Sequence, residues 1–235
     1  MSDPIARAKS YPFRIPAQSY VFVDGRDAPW NGHRVDGSAR VPVLAAGSNQ
    51  SPEQLARKYA PPHADGMIPV QRGVMHDFDV VYAAKFAAYG SVPATFHAAP
   101  GTAVTVFVLW LTPSQLARMH ATEAGYSYDR LSGIRVELDG GGTLDSAFAY
   151  CSRFGCLNLS GAVSLKAIGA ERRGFPALTQ TEVLDRVRAI LAPELELDAF
   201  IASNVADATL CARRAAILQS NALPLTFARE TLALF

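Results

Sequence analysis

From Thr102 to Leu111 the chain is a run of Val, Phe, Leu and Trp, and it passes without a break into Thr112-Pro113-Ser114-Gln115. The run predicts a buried central strand. The four residues after it predict a helix start: threonine as the N-cap, proline at the first helical position, glutamine reaching back from the third. Leu116 and Met119 then recur at helical spacing. The same device occurs earlier, where the apolar stretch Val41 to Ala46 is followed by Gly47-Ser48-Asn49-Gln50 and then Ser51-Pro52-Glu53-Gln54. The first helix is predicted to reach about Tyr59 and stop at Pro61-Pro62. The second is predicted to end near Glu123, with Gly125 in the left-handed position beyond it.

Further strands are predicted at Asp77 to Tyr82, from Gly101 onward, at Ile134 to Leu138 and at Ala147 to Cys151. Asp139-Gly140-Gly141-Gly142 joins the last two as a hairpin turn, since no Lys-Ser or Lys-Thr follows to make it a phosphate loop. Strands with two short helices inserted, and no regular βαβ alternation, predict an α+β fold with a curved or closed antiparallel-rich sheet. Residues 1–40, rich in Pro, Gly and Asp with a strand-like piece at Ser19 to Val23, read as an extension packed on a core of residues 41–151. Residues 152–235 read as a largely helical elaboration. Thr179-Gln180-Thr181-Glu182 is a third capping box, ahead of a stripe of Val183, Leu184, Val187, Ile190 and Leu191, and Ala199 to Ser220 reads as helix again.

At 235 residues the chain can bury a core without disulfides or metal. Its formal charge of +1 gives no reason to expect nucleic acid as a partner. The longest apolar stretch, Ala103 to Leu111, falls far short of the roughly 20 residues a membrane helix needs. Met1 to Gln18 contains no apolar signal core. Cys151, Cys156 and Cys211 form an odd set without C-x-x-C spacing, as in reduced cytoplasmic proteins. The expectation is a soluble, cytoplasmic protein of unknown oligomeric state. His33, His63, His76 and His97 lie in no ligand spacing, and His120-x-x-Glu123 lacks a second ligand pair, so neither a metal nor another cofactor is expected.

Two short segments carry the candidate chemistry. Gly47-Ser48-Asn49, between a strand and a capped helix, can direct backbone N–H groups at an anion, or can simply be a turn. Glu123, at a predicted helix C-terminus, sits where the helix dipole disfavours a carboxylate. It is a candidate general base, or a solvated side chain at a frayed end. His120 shares its helix face. Tyr126, Tyr128 and Arg130 either cover a ligand or alternate along a strand. Arg172-Arg173 reads as a solvated loop, and neither Cys151 nor Cys156 has a base partner at sequence level.

In order along the chain, these pieces resemble the gamma-glutamyl cyclotransferase-like family, which includes avirulence-induced proteins and gamma-glutamylamine cyclotransferases. The matching segments are Ala46-Gly47-Ser48-Asn49, Val92-Pro93-Ala94-Thr95, Pro100-Gly101, Val104 to Leu111, Thr112 to Thr122, Glu123-Ala124-Gly125, then Tyr128 and Arg130. The family's motif tyrosine is Ala46 here, a departure that bears on substrate choice and on activity. Tyr89-Gly90-Ser91 also spells the motif's opening, but no capped helix follows it. The resemblance implies a small mixed β-barrel and a small-molecule gamma-glutamyl or related carboxylate-bearing substrate. It also implies an acyl transfer in which the substrate's α-amine attacks its own γ-carbonyl and releases pyroglutamate and an amine. Glu123 would be the catalytic base, and Gly47, Ser48, Asn49 and Tyr128 would bind substrate. The alternative is a non-catalytic small-molecule-binding or regulatory protein that keeps the fold and pocket.

Overall fold

The computed structural model describes residues 3–60 and 66–235, so the expected helix stop at Pro61-Pro62 and His63 lie outside the described residues. A short helix α1 (Pro4–Lys9) precedes the hairpin of β1 (Tyr20–Val23) and β2 (Arg26–Pro29). Then come β3 (Val41–Ala45), a 3-10 turn over Ser48–Gln50, and α2 (Pro52–Lys58). The long strands β4 (Ile68–Tyr82) and β5 (Ala94–Leu111) lead to α3 (Pro113–His120), β6 (Tyr126–Leu138) and β7 (Thr143–Ser152). The remainder holds β8 (Ser164–Leu165), β9 (Ala170–Glu171), β10 (Ala177–Leu178), α4 (Gln180–Leu191), α5 (Leu197–Ala206), α6 (Ala208–Ser220) and β11 (Glu230–Leu234).

Five strands close on themselves. β3 pairs with β5, β5 with β4, β4 with β6 and β6 with β7, all antiparallel. β7 then returns to β3 in parallel, which makes the barrel mixed. The fold is α+β with a small mixed barrel and short inserted helices. Both faces of β5 are covered, which is why its sequence is apolar without alternation. Val104, Val106 and Val108 share one core cluster with Leu44, Leu131, Val136, Ala147 and Ala149. Phe107, Leu109 and Leu111 point the other way, into a cluster with Tyr20 and Phe22 of the hairpin, Leu55 of α2 and Met119 of α3.

The strand starts expected at Asp77 and Gly101 are bends inside longer strands. The β4–β5 register shifts between His76 and Phe78, where Asp77 has φ +61°. Opposite it, Gly101 has φ +81° and donates its N–H to Asp77 Oδ1 at 2.8 Å. A bulge with a paired kink lets both strands turn without breaking the ladder. Gly140, Gly141 and Gly142 all have positive φ and make the expected turn into β7.

Thr112 and Thr179 form full capping boxes with Gln115 and Glu182. Ser51 does not. It occupies the N-cap of α2, with proline next, but its hydroxyl makes no capping bond and is buried without a partner. Ser51 also closes the preceding 3-10 turn, its N–H donating to Ser48 O at 2.9 Å, and its side chain is turned inward. Thr112→Ala is therefore expected to lower unfolding free energy by about 0.5–2 kcal/mol, and Ser51→Ala by clearly less, as read by urea denaturation.

The C-terminal region is less purely helical than expected. β8 pairs with the end of β4, β9 with β5, and β11 with β6. The helix expected from Ala199 to Ser220 is two, divided at Asp207, whose carboxylate accepts from Leu210 N at 2.9 Å and starts α6. On α4, Val183, Leu184 and Val187 are buried, but Ile190 faces solvent. Arg173 is not a solvated loop residue. Its Nε lies 2.8 Å from Oδ2 of the fully buried Asp79 on β4, which also accepts from Ser164 Oγ at 2.6 Å. Its neighbour Arg172 remains exposed, donating from Nε to Gly101 O at 3.0 Å. A second buried carboxylate, Asp129 on β6, takes Arg229 at 3.1 Å and the Thr231 hydroxyl at 2.7 Å. These two ion pairs tie the C-terminal segments to the barrel.

Candidate functional site

A cavity of about 330 Å³ lies where the loop after β3 meets the loop before β6. Ala46, Gly47, Ser48 and Asn49 line one side, and Thr122, Glu123 and Ala124 another. Lys58 from α2, Lys85 and Tyr89 from the loop after β4, Tyr126 and Tyr150 from the barrel, and Tyr11 from the N-terminal segment complete the wall.

α3 stops at His120, so Glu123 lies beyond the helix rather than at its last turn. Its N–H donates to His120 O at 3.2 Å, within a turn that leads to Gly125. The carboxylate is placed by side chains from elsewhere. Oε1 accepts from Asn49 Nδ2 at 2.8 Å and from Lys58 Nζ at 2.5 Å. Oε2 accepts no hydrogen bond from the described residues. One oxygen is thus held by two donors and the other is left to the cavity. The Gly47–Asn49 loop and Glu123, about 75 residues apart in sequence, are in direct contact.

Lys58 carries no motif, and its only signal in the sequence is its position three residues after the buried Leu55, on the same helix face. Both ends of the Lys58–Glu123 pair are only 7% exposed. Lys85 is the other cation of the wall. Its Nζ donates to Ala124 O at 2.5 Å and lies 4.5 Å from the centre of the Tyr126 ring. Burial lowers its pKa, opposed by the charge of Glu123. Gly125 has a φ of +80°, the left-handed region that favours glycine, and a Cβ there would displace the flexible end of Lys85. Two lysines and one glutamate line the cavity, and with Lys58 committed to Glu123, Lys85 carries the excess positive charge.

The loop expected to cradle an anion is engaged by a phenol. The oxygen of Tyr11 accepts the N–H of Ala94 at 2.8 Å. A Cβ on Gly47 would fall 2.0 Å from that oxygen, so the glycine admits Tyr11 to the loop. Tyr89, set aside in the sequence as part of a repeated motif opening, lines the same cavity beneath the Arg7 guanidinium.

Tyr128 does not line the cavity. It is buried further along β6, stacked on Phe148 at 5.1 Å and edge-on to His120 at 4.8 Å. Tyr126, two residues earlier, and Tyr150, the ladder partner of Tyr128, reach the cavity instead. Alternation selects a strand face but not a position along it, so the sequence could not separate these tyrosines. Arg130 is exposed, 3.5 Å from Glu230. His120 is a packing residue, its Nδ1 2.8 Å from the Tyr150 hydroxyl and its ring stacked on Phe235. Burial lowers its pKa, opposed by Glu123. Burial pushes the Cys151 thiol well up and that of Cys156 to about 11, so neither is an activated nucleophile. Among the described residues no three His, Cys, Asp or Glu side chains converge to hold a metal, and no helix is long and apolar enough to cross a membrane.

No protein-family model matches this sequence, and no curated protein matches it at a significant level. Among solved structures, a gamma-glutamyl cyclotransferase is similar to it with 16% identity and a TM-score of 0.39. The similar region takes in 48% of this chain and 66% of that one, just under two thirds of its length. Overlap at that level says nothing about chemistry, which has to be read from the side chains.

Proposed function

We propose that this chain is a gamma-glutamyl cyclotransferase-like enzyme, in which a substrate's α-amine attacks its own γ-carbonyl carbon and releases pyroglutamate and an amine. The observation that carries this reading is Glu123, with Oε1 clamped by Asn49 and Lys58 and Oε2 open to a small cavity. At neutral pH the attacking amine is an ammonium ion and has no lone pair. Oε2 takes its proton, the new C–N bond closes a five-membered ring, and the same oxygen returns the proton to the departing nitrogen as the old C–N bond breaks; the second proton shed by the ring nitrogen ends on the released amine, which leaves as an ammonium ion. The clamp on Oε1 fixes the direction of the free oxygen, so the base needs no reorganisation during the step.

The charge pattern suits an amino-acid head group. The α-ammonium faces Glu123 and the α-carboxylate faces Lys85, the cation without a carboxylate partner in the wall. A volume of about 330 Å³ suits a ligand of amino-acid to small-peptide size. Folding a flexible gamma-glutamyl chain into a ring-closing pose supplies much of the acceleration.

The test is a panel of gamma-glutamyl amines and gamma-glutamyl peptides incubated with purified protein and analysed chromatographically. The expected result is equimolar pyroglutamate and free amine from at least one member. Binding of a panel member without release of pyroglutamate would overturn the catalytic reading in favour of a binding protein.

A further inference from the structure

Four phenols line the cavity, and their hydroxyl protons are not equally engaged. Tyr126 donates to Ala94 O at 3.1 Å. The Tyr150 hydroxyl is 2.8 Å from His120 Nδ1. Tyr11 differs from these two: its oxygen is an acceptor for the N–H of Ala94 at 2.8 Å, and its proton meets no acceptor among the described residues. A phenol whose oxygen receives an N–H donor is held in position and polarised, and its single proton is left to point elsewhere. With Tyr11 only 5% exposed, the space left for that proton is the cavity its residue lines.

We infer that the Tyr11 hydroxyl is a binding and specificity group of this site, donating its proton to a carboxylate oxygen of the ligand. The inference rests on the reading of this cavity as a site for a carboxylate-bearing ligand, but not on turnover. Charge in the cavity agrees, since the excess is the positive Lys85. Ala46, just after the strand that feeds the loop, offers only a methyl group to the wall. The N-terminal segment supplies the phenol. α1 is started by Asp3, whose carboxylate accepts from Ile5 N at 2.9 Å. Its Ala8 is fully buried and its Lys9 pairs with Asp198 of α5. Arg7 lies 4.4 Å over the Tyr89 ring and Phe13 packs on the same ring at 5.8 Å. Residues on both sides of Tyr11 are thus anchored, and the phenol is built into the wall.

The probe is L-glutamate, which has the head group of a gamma-glutamyl compound and no amine to release, compared with its α-amide, which lacks the anionic oxygens there. Calorimetric titration of wild type and Tyr11→Phe is expected to show L-glutamate weakened about tenfold or more, as for a lost hydrogen bond to a charged group. The α-amide is expected to weaken by a clearly smaller factor. Gly47→Ala, which puts a Cβ into the space of the Tyr11 oxygen, is expected to reproduce the selective loss. Unchanged L-glutamate affinity in Tyr11→Phe would overturn the inference. Equal losses for both probes would also overturn it, because a merely structural role affects both alike. So would failure of the wild type to bind L-glutamate. Absence of pyroglutamate release would defeat the catalytic reading and leave a selective loss of L-glutamate binding unaffected.

Discussion

Glu123→Gln is expected to lower pyroglutamate release by about 10²–10⁴-fold, the range for loss of a general base. The amide is isosteric, and its oxygen can still accept from Asn49 and Lys58 in the place of Oε1. Its nitrogen then faces the cavity, where it cannot accept the ammonium proton. Ligand affinity and melting temperature are expected to change far less than rate. Glu123→Leu makes the contrast. It removes the partner of the buried Lys58 ammonium and is expected to cost about 3–5 kcal/mol of stability as well as activity. Parallel measurements of turnover, ligand affinity and thermal unfolding separate the two variants. A Glu123→Gln protein that kept wild-type turnover would remove Glu123 from the mechanism.

Asp79→Ala is expected to produce the largest loss of stability outside the site. Asp79 is fully buried on β4, and its oxygens hold Arg173 and Ser164. Without it the Arg173 guanidinium, only 14% exposed, keeps its charge with no carboxylate partner. Breaking a buried pair from one side costs about 3–5 kcal/mol, which for a chain of this size lowers the melting temperature by roughly 6–20 °C. The cost should fall on the attachment of the β8–β10 region to the barrel. Amide hydrogen exchange should then quicken in residues 164–178 before it does in β5. A change below about 1 kcal/mol would mean that this pair does not anchor the C-terminal region.

Elements whose cause is local were legible in the sequence. Thr112-Pro113-Ser114-Gln115 and Thr179-Gln180-Thr181-Glu182 specify their helix starts because capping residues and their targets lie within one turn. The glycine run after Leu138 is a turn for the same reason, since backbone freedom is a property of the residue. The apolar run of β5 marked a buried central strand, and the mixture of strands and short helices pointed to an α+β fold with a curved or closed sheet. Ser51 marks the limit of such reasoning: the right residue stands at the N-cap, but packing turns its hydroxyl away.

What the sequence alone determined about the site was that the loop at Gly47–Asn49 and the carboxylate of Glu123 could both carry chemistry. That they touch was decided by the barrel. Closure of β3 against β5 and β7 brings the end of β3 and the turn before β6 to one rim, within a hydrogen bond of each other. Lys58, Lys85 and Tyr11 carry no local pattern, because a lysine or tyrosine in a helix or loop reads the same whether it faces water or a cavity. Nor could strand alternation choose Tyr126 over Tyr128, since residues two apart share a face and differ only in position along it. Arg173 became a buried partner of Asp79 because β8 joins β4 at Val81 across some 80 residues of chain. Local propensity is set within a few residues, whereas burial, charge pairing and the open oxygen of Glu123 depend on which distant segments the fold brings together.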